Sequence, residues 1–279
     1  MGDRAFYRHY LLLAVPMILQ NAITNLVSFL DNIMVGQLGT EQMSGVAIVN
    51  QLIFVYNLAI FGAVSAASIF GAQYFGNGDH RGHMHSFRFK LYATLLVSGL
   101  TMLLLLTKGS DLISLYLTDT AGNGATDVAL QYGKQYLVIM LVGLVPFAVN
   151  QAYATNIKET GQTLVPMLAS FVAVGTNAVL DYLLIFGVGP FPELGVTGAA
   201  LATVIARYVE AVIVVFWAHR NREKNRYLEG AYRGFGIPVS ELKTVLIKGL
   251  PLMFNEVLWA AGMTTCLLYT SPSPRDGLL

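Results

Sequence analysis

Four carboxylates stand inside long apolar stretches of this 279-residue chain: Asp31, Asp181, Glu210 and Glu256. An acid at mid-bilayer costs about 2.5–3.5 kcal/mol on insertion scales, so each needs a partner or a task. In the first stretch, Asn21, Thr24, Ser28 and Asp31 follow a 3-4-3 spacing and so share one helical face. In the fifth, Asn177 and Asp181 are i, i+4 neighbours. Asp31 precedes Gly36 by five residues and Asp181 precedes Gly187 by six. At about 1.5 Å per residue, both acids lie roughly 7–9 Å inside the same boundary. Two carboxylates at one depth, each on a polar face, suit a shared proton or cation. The plainer alternative is that each only hydrogen-bonds to a neighbouring helix. Glu210 has Arg207 three residues before it, a spacing that predicts a structural ion pair. Glu256, one turn before Trp259, reads as an acid of a cleft or of a second lobe.

Other chemistries find little support. There is no Gly-x-Ser-x-Gly elbow, no His-Glu-x-x-His and no Gly-x-x-x-x-Gly-Lys phosphate cradle, so no enzyme and no bound cofactor are expected. His80, His83 and His85 cluster beside Gly78-Asp79, and this segment reads as a solvated loop with no metal. Cys266 is alone, which excludes a disulfide framework or a cysteine-rich metal site. A net charge of +1 gives no reason to expect a nucleic-acid partner.

The elements that carry these residues are membrane spans. Hydrophobic residues make up 55% of the chain and charged ones 12%, about half the charged share of a soluble domain. A span needs about 20 apolar residues. Six stretches qualify, at roughly 10–35, 43–75, 88–107, 128–156, 163–187 and 196–219, and a seventh runs from about 245 to 270. The second is longer than one straight crossing, which predicts tilt or an interfacial lead-in. Thirteen of the 17 Lys and Arg, from Arg4 to Lys248, fall on one side of these spans. Only Lys108 and Lys134 fall on the other, while Arg207 is inside a span and Arg275 in the tail. The bias places the N-terminus and the basic segment after residue 219 in the cytoplasm.

A repeat begins late in the sequence. Val15-Pro16-Met17-Ile18-Leu19-Gln20-Asn21 recurs in kind as Leu250-Pro251-Leu252-Met253-Phe254-Asn255-Glu256, six spans later. Transporters built from two related halves carry the substrate path between them. The expected organisation is a six-helix lobe over 1–219, a cytoplasmic linker over 220–244 and the first helix of a truncated second lobe over 245–269. The final 270–279, with Pro272 and Pro274, reads as a non-native tail. The fold expected is all-α, a polytopic membrane helix bundle.

Four blocks carry a family resemblance. They are Pro16 with Asp31-Asn32-Ile33-Met34-Val35-Gly36-Gln37-Leu38-Gly39, then Gly71-Ala72-Gln73-Tyr74-Phe75-Gly76, then Asn177 through Gly187, then Phe191 through Thr203. Together they resemble the N-terminal half of a multidrug and toxic compound extrusion (MATE) transporter. That resemblance implies an antiporter exporting organic cations or amphipathic drugs in exchange for Na+ or H+, with twelve helices in two lobes. It implies a cation site of Asp31, Asn177, Asp181 and Thr203, and it matches Glu256 to a seventh-helix acid of the Na+-coupled branch. The partners implied are the drug, membrane lipid and a second lobe without which transport fails. Two alternatives stand beside it: a lipid-linked oligosaccharide flippase of the same superfamily, and an inert membrane fragment. Flippases tend to line the lobe with basic residues, and Arg207 is the only one deep in a span here.

Overall fold

The computed structural model describes residues 4–117 and 123–233, and single positions from 236 to 262. The described residues form helices and turns without a strand. Seven helices follow in order: α1 (Arg4–Gly36), α2 (Thr40–Gly76), α3 (His80–Leu117), α4 (Asn123–Val142), α5 (Leu144–Glu159), α6 (Leu164–Phe186) and α7 (Val196–Arg220). Single helices α1, α2, α3, α6 and α7 are each long and apolar enough to cross a membrane. The expected fourth span is two helices, α4 and α5, bent by 44° at their junction. Pro146 explains the break, since it has no N–H to offer the carbonyl of Val142 one turn earlier. At about 1.5 Å per residue, the 37 residues of α2 and 38 of α3 outrun a hydrocarbon core of about 30 Å. The surplus the sequence suggested for the second span is therefore continuous helix.

Packing follows the small residues. Gly45 of α2 and Gly133 of α4 bring the two backbones together, and a Cβ on Gly45 would stand 2.4 Å from the Ala129 carbonyl oxygen. Gly187 ends α6 in the left-handed region at φ 65°, where a side chain would be strained. Two apolar clusters result. One joins α2, α3, α4, the start of α5 and the meeting of α6 with α7, around Ile60, Ile113, Met140, Leu144, Ile185 and Ala200. The other lies nearer the ends of α3, α5 and α7, around Phe87, Ile157, Val214 and Tyr227. Helix α1 stands largely outside both and packs along α6.

Part of the segment expected as a linker packs back on the helices. Arg88 of α3, itself buried, donates to the carbonyls of Ala231 at 2.8 Å, Gly236 at 2.9 Å, Gly230 at 2.6 Å and Arg233 at 3.1 Å. Tyr227 and Leu228 are buried in the second cluster, and the Tyr227 ring meets those of His83 and Phe87. Burial pushes the Tyr227 phenol above its ordinary range. Trp259, in the stretch expected as a seventh span, approaches Phe54 of α2, ring centroids 6.4 Å apart. Glu256 and the tail 270–279 lie outside the described residues.

Candidate functional site

Asp31 and Asp181 come together. α1 places Asp31 against α6, and the two carboxyl groups lie within hydrogen-bonding reach of each other. Ionised carboxylates only accept, so a bond between the two exists only when one carries a proton. Asp181 is fully enclosed. Asn177, one turn earlier on α6, stands beside it and is 5% exposed. Its amide nitrogen is 3.5 Å from the Thr203 hydroxyl of α7, the outer limit of a hydrogen bond. All four residues expected of the site therefore gather where α1, α6 and α7 meet. Both Asp181 oxygens and Asp31 Oδ1 are buried without a protein hydrogen-bond donor among the described residues, so the cluster presents acceptor oxygens that a proton or a small cation could fill.

Two residues near the site were not singled out from the sequence. Tyr136 of α4 is within electrostatic range of both acids, and its hydroxyl donates to Asn50 Oδ1 of α2 at 3.2 Å. The only available signal was Tyr132 and Tyr136 one turn apart in a glycine-bearing span, which packing alone would explain. The polar face foreseen on α1 is present only in part. Asn21 and Thr24 are exposed, Thr24 bonds back to the Gln20 carbonyl at 2.9 Å, and the Ser28 side chain lies outside the described residues. It is Gln20 that reaches across to α6, donating to Ser170 Oγ at 2.6 Å.

Two other expectations are overturned. Arg207 and Glu210 do not pair. Arg207 donates to the Gly143 carbonyl at 3.4 Å and lies 5.1 Å from the Phe147 ring, while Glu210 Oε1 accepts from Ser170. The break between α4 and α5 is the cause: it exposes carbonyls, and Arg207 takes one while Tyr56 takes that of Leu144 at 2.8 Å. The histidine segment is likewise no loop. Asp79 accepts from the N–H groups of Arg81 and Gly82 and so starts α3 at His80. His83 is 2% exposed and lies 3.3 Å from Glu159, which also binds the fully buried Lys90; Asn156 completes the cluster. Among the described residues, no group of three or more His, Cys, Asp or Glu is placed to hold a metal ion.

Known proteins share both the sequence and the fold of this chain. The chain is 27% identical over 253 residues to the probable multidrug resistance protein NorM of Thermotoga maritima, covering 90% of this chain and 52% of that protein. It is 30% identical over 224 residues to the NorM protein of Rhizobium meliloti, covering 79% of this chain and 46% of the other. The chain thus spans about half the length of the curated relatives it matches. Among solved structures, the outward-facing conformation of a multidrug resistance MATE family transporter superposes with a TM-score of 0.78. Identity there is 23%, over 92% of this chain and 54% of the other, a likeness of fold. A MOP superfamily transporter from Pyrococcus furiosus, described as having a binding pocket of reversed polarity, gives 0.73 at 21% identity. The MatE family model matches residues 16–183, more than half of the 279, and takes in both Asp31 and Asp181. With a family model matched over more than half of its length and the fold of about half of a solved MATE transporter, the chain belongs to the MatE family.

Proposed function

We propose that the chain forms one lobe of a cation-coupled exporter of organic cations or amphipathic drugs, set in the bacterial inner membrane with its N-terminus in the cytoplasm. The observation that carries this reading is the meeting of Asp31 and Asp181 with unfilled acceptor oxygens inside a membrane bundle. Asn177 and Thr203 add neutral oxygens at the same place, which suits Na+ as well as a proton. Occupancy of this site biases the lobe between conformations, because an ion shifts an equilibrium by its differential affinity for the two states. The second lobe, opened by the span from about 245, supplies the other wall of the drug path, and Glu256 belongs to that wall. The NorM names of the relatives favour drug export over the flippase alternative.

The test is export of ethidium from vesicles holding the chain together with its complementary second half, under an imposed Na+ gradient and, separately, a proton gradient. One gradient should drive export, and Asp181→Asn should reduce it at least tenfold, about 1.4 kcal/mol of lost coupling, at equal protein content. Export indifferent to both gradients sinks the reading.

A further inference from the structure

The acidic pair has a counterpart deeper in the same seam. Gln20 on α1 lies eleven residues before Asp31, and Ser170 on α6 lies eleven before Asp181. Eleven residues are about three turns, so each pair shares a helical face, roughly 16 Å apart along the axis. On α7, which runs the opposite way, Glu210 follows Thr203 by seven residues, about two turns. The three lower residues are hydrogen-bonded in series: Gln20 Nε2 donates to Ser170 Oγ at 2.6 Å, and Ser170 donates to Glu210 Oε1. The same three helices that gather Asp31, Asn177, Asp181 and Thr203 at one level thus gather Gln20, Ser170 and Glu210 at a second. Arg207, the nearby cation of α7, donates to the Gly143 carbonyl and acts on Glu210 electrostatically without a direct bond to it. Lys158 of α5 acts on Glu210 electrostatically without forming an ion pair.

We propose that Glu210, with Ser170 and Gln20, is the inner proton station of this lobe, exchanging with the cytoplasm the proton that the outer acids exchange with the exterior. This rests on the coupled-export reading above. The Glu210 carboxyl is the group that takes up and releases the proton; Ser170 Oγ–H donates to it, and the Gln20 amide N–H, donating to Ser170 Oγ, holds that hydroxyl turned toward the acid. The three groups offer too few oxygens to enclose a metal ion. A merely structural contact would be served as well by Gln at 210, whereas a relay requires a group that can take up and release a proton.

The experiment uses the chain with its complementary half in vesicles, ethidium as the exported probe, and two readouts. One is export driven by a proton gradient. The other is exchange of labelled for unlabelled ethidium at equal concentration across the membrane, which needs no net proton turnover. Glu210→Gln should lower driven export at least tenfold and leave exchange within twofold, and Glu210→Asp should restore much of the driven rate. Ser170→Ala keeps the acid and cuts the series, and should lower driven export about threefold with exchange unchanged. Driven export at the unaltered rate in both Glu210→Gln and Ser170→Ala overturns the inner station, as does an equal fall of both readouts in these variants. If the unaltered protein shows no gradient-driven export at all, it is the coupled-export reading that has failed.

Discussion

Asp181 is enclosed on every side, while Asp31 reaches it from a helix that is otherwise little buried. The acids themselves were legible in the sequence, because a carboxylate in an apolar run is costly and their distances from Gly36 and Gly187 give a common depth. Tyr136, Asn50 and Gln20 were not legible, because what they do depends on which helix faces them, and spacing within one helix does not report that. Arg207 shows the same limit. Its i, i+3 relation to Glu210 favoured a pair, but the broken fourth span offers a carbonyl that pulls it elsewhere. A double-mutant cycle on stability in detergent, with Arg207→Ala and Glu210→Ala, should give a coupling below about 0.5 kcal/mol, the value for sites that do not share a bond. A coupling of about 1 kcal/mol or more would restore the ion pair.

At the scale of elements, six crossings and their turns follow from hydropathy and glycines, and the helices lie where those stretches lie. The division of the fourth crossing was hidden because its apolar run is continuous and only Pro146 marks it. The clamp between α3 and α5 was hidden for another reason. Lys90 and His83 look like ordinary basic residues of a membrane edge until α5 brings Glu159 and Asn156 to them. Removing one partner of a buried ion pair strands the other, at a cost of about 3–5 kcal/mol. Lys90→Met alone should therefore lower the thermal unfolding midpoint sharply, whereas Lys90→Met with Glu159→Leu should recover most of the loss. Equal midpoints for the single variant and the unaltered chain would show that the pair contributes nothing to holding α3 on α5.

For the whole molecule, the broken crossing and the paired acids describe a helix bundle that holds the acids toward one end and grips the segment after α7 at the other. Its orientation is what the charge bias predicts. Asn77, exposed between α2 and α3, and Gln37, exposed between α1 and α2, stand at opposite ends of α2. With a cytoplasmic N-terminus, a cysteine at Gln37 should react with a membrane-impermeant maleimide from outside intact cells, and one at Asn77 only after the membrane is opened. The reverse pattern would invert the lobe.

In the proposed mechanism Asp31 and Asp181 act as one unit in holding the coupling ion. The most direct measurement is gradient-driven ethidium export by Asp31→Asn, Asp181→Asn and the double variant, at matched amounts in vesicles with the complementary half present. Both single variants should fall at least tenfold, about 1.4 kcal/mol. The double variant should be no more than about twofold worse than either, because groups that work as a unit are lost together. Near-normal export by both single variants, or a double variant whose loss is the product of the two, would contradict the account.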